Sequence, residues 1–326
     1  FLLPSLYSMI TRMFGLAIVI KEVHYDAWGN CLRLSNGFIE TIVSIDYGPR
    51  VVSFRLMEGK NVLFEDLDQS YTVSGPEMDE HYGTGAVFYR RGGHLGSVAP
   101  IRIPESFFPD NSSVVYAVRP DGVSLVSPRE KSDGLKLTTE ILMGDGAADI
   151  MIVHSIKNTS HERKKLAVWS STALRAGGLE IIPQNFGDAS VFQPNRILAL
   201  WPGTTLSDPR LYAGERYLTI RQDTACKKDF VLGVNNVTGW AAYVLPDTTL
   251  VKRYVHDEAS FYPNHDCSFR TRVTDAFAEL DSFSPIYVVE PGEGIRHVDN
   301  LSLFATRNGV DATDENSIES FMQKLY

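Results

Sequence analysis

Short stretches of period-two alternation dominate the middle of the chain, each bounded by a turn signal, and such alternation sorts side chains onto the two faces of a β-strand. Arg50, Val52, Phe54 and Leu56 are predicted to face one way, with Val51, Ser53 and Arg55 facing the other. Similar runs occupy 114–118, 123–127, 135–141, 149–156 and 166–171, and they recur at 216–221, 239–245, 250–254, 268–273 and 286–289. Pro120-Asp121-Gly122, Asp145-Gly146, Pro246-Asp247 and Pro291-Gly292-Glu293-Gly294 punctuate them. Many short strands with little helix between them predict an all-β fold, a large antiparallel β-sandwich. A short helix is expected at the C-terminal end, where Asp314 can cap it and Ile318, Phe321, Met322 and Leu325 share one apolar stripe.

No internal repeat, low-complexity run or Gly/Ser linker divides the chain, so one sandwich domain is expected over 23–326 after an extension at 1–22 that lies outside the core. The stretch 1–20 is apolar apart from Arg12, but Pro4 and the brevity of each apolar run argue against a membrane span. No small-residue cleavage site follows before Lys21, and a cytoplasmic protein is expected. Removing 1–20 is expected to leave stability nearly unchanged.

Composition narrows the partners. A net charge of −9 opposes binding to a nucleic-acid backbone or an anionic membrane, both of which need concentrated positive surface. Cys31, Cys226 and Cys267 are far apart and form no Cys-x-x-Cys pair, which reads as reduced thiols. Asp79-Glu80-His81, His256-Asp257-Glu258 and His265-Asp266 carry metal-ligating side chains, but neighbours on a strand point to opposite faces, so no metal and no cofactor are expected. His154, inside Ile152-Val153-His154-Ser155-Ile156, reads as a half-buried core histidine.

Two segments carry candidate chemistry. If Phe277-Ala278-Glu279-Leu280-Asp281-Ser282-Phe283 is a strand, Phe277, Glu279, Asp281 and Phe283 share a face, with two carboxylates about 7 Å apart between two aromatic rings. Rings of this kind cover the apolar C–H patches of a sugar, and paired carboxylates suit general-base chemistry. The alternative is a solvated strand face. In Arg91-Gly92-Gly93-His94, the glycines free the backbone and can present the His94 imidazole at a cleft mouth, or they mark a turn with one exposed ring.

Together with Asp46-Tyr47-Gly48-Pro49-Arg50, Ala99-Pro100, Pro109-Asp110-Asn111, Trp201-Pro202, Ser207-Asp208-Pro209-Arg210, Tyr262-Pro263 and Glu279 to Pro285, these segments resemble the galactose mutarotase-like (aldose 1-epimerase) superfamily from about Trp28 to Leu303. The resemblance is closest to a branch known only as a domain of unknown function. It implies a small-molecule carbohydrate ligand and a monomer or homodimer. It makes Asp281 the base candidate, with Glu279 and His94 as catalytic partners. Arg50, Asp110, Asn111 and Trp201 are implied as contacts to the sugar, as are Arg210, Lys252 and His297. The chain also departs from the family's pattern. The catalytic histidine expected near Val168-Trp169-Ser170-Ser171 is absent, Arg270 stands where a carboxylate is expected, and Asp299 replaces a glutamate beside His297. Two functions stay open: an aldose-epimerase-like enzyme, and a carbohydrate-binding protein without turnover.

Overall fold

The structure is a computed structural model that describes residues 18–188 and 190–325. Two large sheets form its layers. The first, eleven-stranded, runs in spatial order Val19–His24, Asn30–Ser35, Ile39–Ser44, Arg50–Leu56, His94–Ala99, Lys164–Arg175, Phe277–Phe283, Phe269–Val273, Phe230–Val234 and Leu198–Leu200, with Tyr287–Val289 also paired to Lys164–Arg175. The second, ten-stranded, runs Leu211–Ala213, Tyr217–Arg221, Leu179–Pro183, Trp240–Val244, Thr248–Tyr254, Gly294–Ala305, Asp149–Asn158, Leu135–Met143, Gly122–Val126 and Val115–Arg119. Every pairing within these sheets is antiparallel, as the alternation predicts.

The apolar faces meet between the layers. Leu32, Leu34, Phe54, Phe230 and Leu280 of the first sheet pack with Leu125, Ile141, Ile152, Leu250 and Leu301 of the second in one buried cluster. The Leu135–Met143 strand shows the underlying pattern, since its residues alternate between buried and half-buried along its whole length. The C-terminal helix, Glu315–Gln323, seats Ile318, Phe321 and Met322 on the outer face of the second sheet against Leu179, Ile181 and Val251. Its N-cap is Asp314, whose Oδ1 accepts from the Asn316 N–H at 2.9 Å. Among the described residues no helix is long and apolar enough to cross a membrane.

Two expectations change here. Alternation from Arg50 to Leu56 breaks because Ile42 pairs with Ser53 while the next residue, Val43, pairs with Val51. Val52 is therefore the extra residue of a β-bulge, which turns Val51 and Phe54 both into the inter-sheet core and leaves Val52 against Trp28, Cys31 and Ile42 on the other face. Second, the described part of the expected extension is structural: Val19–His24 pairs with Asn30–Ser35, and Ile18 and Ile20 pack on the core. The remainder, 1–17, lies outside the described residues.

Candidate functional site

The strand Phe277–Phe283 positions the site. Ala278 and Leu280 point into the inter-sheet core, so Glu279 and Asp281 occupy the outer face of the first sheet. Across one neighbouring strand, Arg270 faces Asp281 and Arg272 faces Glu279 in direct register. Opposite charges on facing positions attract, and Arg270 places Nε 2.8 Å from Asp281 Oδ2, with its Nη2 on the same oxygen. Glu279 is ion-paired with Arg90 and lies 3.9 Å from Arg270 Nη2. Both carboxylates are fully buried.

The loop ahead of His94–Ala99 delivers Arg90. Arg91, Gly92 and Gly93 all have positive φ, and a Cβ on Gly92 or Gly93 would lie 2.1 Å from Phe64 O or 2.2 Å from Val51 O, so only glycine lets the chain press against these backbones. Arg50 fastens the loop from beneath: its Nη1 donates to the carbonyls of Arg90 and Gly92, and its Nη2 to Asp110 Oδ2 at 3.0 Å. Arg91 donates to Asp110 Oδ1 at 3.3 Å and to Asn111 Oδ1 at 2.9 Å. Arg50, Asp110 and Asn111 thus brace the loop that carries Arg90.

Above the carboxylates opens a cleft of about 420 Å³, walled by Arg90, Arg270, Arg272, Trp169, Trp201 and Tyr71 among others. The Arg270 guanidinium sits over Trp169 and Trp201, 5.5 and 5.9 Å from the ring centroids. Gly233 makes room for Trp201, since a Cβ there would lie 3.1 Å from the indole. Burial, together with the charges of Arg272 and Arg270, lowers the Arg90 guanidinium from its ordinary value despite the nearby Asp281.

The remaining sequence candidates lie elsewhere. His94 is the first residue of its strand, in register with Val51 and Thr172, and faces inward, on the opposite side of the sheet from Asp281. Its Nδ1 is 2.9 Å from Thr172 Oγ1, and its Nε2 is 2.9 Å from His154 Nε2. Gly96 admits the His154 ring, where a Cβ would collide at 2.3 Å. Lys252 and His297 come from the second sheet and are also inward. Lys252 Nζ donates to Ser170 O, Thr172 Oγ1 and Leu280 O at 3.0–3.2 Å and pairs with Asp299 Oδ2 at 3.2 Å. His297 Nε2 lies 2.8 Å from Ser282 Oγ and 3.4 Å from Asp299 Oδ1. Arg210 is clamped by Asp208 and the Lys228 carbonyl and does not line the cleft.

These inward residues form a polar layer inside the sandwich. Lys252 can only donate, so Thr172 accepts from it and passes its own hydroxyl proton to His94 Nδ1. His94 Nε2–H then donates to His154 Nε2, and His154 Nδ1–H to Thr139 Oγ1, 3.0 Å away. Burial keeps both imidazoles neutral, with His94 well below its usual value and His154 pushed down to about 3. Burial alone would raise Asp299, but the Lys252 charge and the hydrogen bond from His297 outweigh it and hold the carboxyl well below the carboxylate range.

Comparison of the sequence with protein-family models and with curated proteins gave no match. Solved structures do match. A TPR-domain-containing protein from Parabacteroides distasonis superposes with a TM-score of 0.58 at 16% identity over 91% of this chain, which spans 54% of that protein. A galactose mutarotase-like protein from Lactobacillus casei gives 0.53 at 10% identity, over 84% of this chain and 100% of that one. The fold is that of the galactose mutarotase-like proteins. A second galactose mutarotase-like protein, from Clostridium acetobutylicum, gives 0.50 at 12% identity over 89% of this chain and 99% of its own. Identities this low carry the mutarotase-like fold and no residue roles. This chain spans about half the length of the Parabacteroides protein.

Arg90, Arg272 and Trp169 were not among the sequence candidates, yet they line the cleft. A signal for Arg272 exists in the sequence: Arg270-Thr271-Arg272 and Glu279-Leu280-Asp281 carry opposite charges at the same two-residue spacing on adjacent strands.

Proposed function

We propose that this mutarotase-like sandwich recognises a carbohydrate in the outer-face cleft and does not turn it over. One observation carries the reading: Glu279 and Asp281 are sealed beneath the arginines that line the cleft, and among the described residues no histidine lines it. Trp169 and Trp201 offer aromatic faces for the apolar side of a sugar ring, and the arginines offer donors for its oxygens. Mutarotation needs a base at the anomeric hydroxyl and an acid at the ring oxygen. Here the base candidate is engaged by Arg270, and His94 is on the wrong side of the sheet.

A second reading, an aldose-epimerase-like enzyme using Asp281, is favoured by one feature: Asp281 Oδ1 is buried without a hydrogen-bond partner among the described residues. That reading requires Arg270 to swing away. Saturation-exchange NMR of hexose, pentose and uronic-acid anomers separates the two. The binding reading predicts exchange equal to buffer with wild-type protein. Acceleration that falls about 10²-fold or more in Asp281→Asn establishes the enzyme instead.

A further inference from the structure

We infer that the cleft selects sugars bearing an anionic substituent, a carboxylate or a phosphate, over neutral sugars; this rests on the carbohydrate reading above. To a ligand the cleft presents charged donors and, among the described residues, no carboxylate. Arg90, Arg270 and Arg272 line it, whereas Glu279 and Asp281 are absent from its walls and fully buried. Arg270 engages Asp281 through Nε and Nη2, and Arg272 engages Asp229 through the same two atoms, which leaves Nη1 of each for a ligand. Arg90 Nε and Trp169 Nε1 are buried N–H donors without partners among the described residues. A neutral sugar presents hydroxyls that donate as well as accept, and their donors meet no charged acceptor here. A carboxylate or phosphate only accepts, and it matches the planar fork of a guanidinium.

The buried pairs explain why an acidic protein can do this. With a chain charge of −9, long-range steering disfavours anions, so selection has to arise from contact inside the cleft. Each buried carboxylate holds its arginine in position, and the unengaged edge faces the ligand. Arg272 is the most accessible of the three, with its side chain 29% exposed against 10% for Arg90 and Arg270. It is therefore the residue to change without disturbing the core.

The test is titration calorimetry at low and moderate salt with glucose, glucuronate and glucose 6-phosphate, against wild type, Arg272→Gln and Arg272→Lys. Thermal melts verify folding. The inference predicts that at least one charged sugar binds wild type about ten-fold or more tightly than glucose. That preference should shrink several-fold in Arg272→Gln, recover in part in Arg272→Lys, and weaken as salt rises. Preference for glucuronate assigns a carboxylate, and preference for glucose 6-phosphate a phosphate. Glucose binding as tightly as both charged sugars overturns the inference and leaves the carbohydrate reading standing. Failure of all three sugars to bind overturns both.

Discussion

Lys252→Met is expected to destabilise the protein by about 3–5 kcal/mol, seen as a lower urea midpoint and a melting temperature reduced by roughly 4–7 °C. Lys252 is fully buried, with three oxygen acceptors and the Asp299 carboxylate around its ammonium. A methionine fills a similar volume, so the loss is electrostatic. It leaves Asp299 as an unpaired charge between two sheets, with Ser170, Ser282 and His297 as its remaining partners. Adding Asp299→Asn to Lys252→Met removes that charge, and the double variant is expected to lose less than the two single changes summed. Additive losses would show that the pair is not coupled.

Stability is expected to peak near pH 6.5 and fall on both sides, for opposite reasons. Burial pushes the Glu180 carboxyl up to about 8, against its partner Thr271, from an ordinary value of 4.5. The folded state therefore holds this proton more tightly than the unfolded chain, so stability is full below about 4.5 and is lost as pH rises toward 8. The full loss is about 5 kcal/mol. His94 and His154 have the reverse sign. Burial lowers both from 6.5, His154 to about 3, so the stability they contribute is present above 6.5 and lost as pH falls. Between 4.5 and 6.5 two histidines oppose one carboxyl, and the acid limb falls. Glu180→Gln should flatten the alkaline limb between 6.5 and 8 and steepen the acid limb between 4.5 and 6.5, where the carboxyl no longer opposes the two histidines. Melting temperatures across pH 4 to 9 read this directly, and an unchanged alkaline slope in Glu180→Gln would remove Glu180 as its source.

The sheets were legible because period-two alternation reports burial directly, as Leu135–Met143 shows along its whole length. The bulge at Val52 was not, because an extra residue in one strand leaves no mark until the partner's register is known. The same limit hid the direction of His94. Gly92 and Gly93 announce a special backbone, but the pairing with Val51 and Thr172 decides which face the next side chain takes. The polar layer leaves a signature in the sequence. Lys252 shares a face with Leu250 and Tyr254, and Asp299 with Leu301 and Leu303, all four apolar partners lying in the inter-sheet core. A charge in such a series has to be paired inside the fold, which argues against contact with ligand. The shared Glu279–Asp281 face follows from strand geometry, whereas Trp201 lies just past the strand Leu198–Leu200 and was implied by the resemblance alone. The arginine roof over those carboxylates depends on the Arg90 loop, whose path no local pattern dictates.

The central claim, a carbohydrate cleft on the outer face of the first sheet, has a direct spectroscopic test because the chain has only four tryptophans. Trp169 and Trp201 stand on the cleft wall, whereas Trp28 packs with Cys31, Ile42 and Val52, and Trp240 lies against Tyr217 beside the C-terminal helix. In ¹⁵N-labelled protein titrated with glucuronate or glucose 6-phosphate, the indole N–H signals of Trp169 and Trp201, assigned by Trp→Phe substitution, should move together and saturate while those of Trp28 and Trp240 stay fixed. Unmoved Trp169 and Trp201 signals at saturating sugar, or shifts confined to Trp28 or Trp240, would contradict the claim.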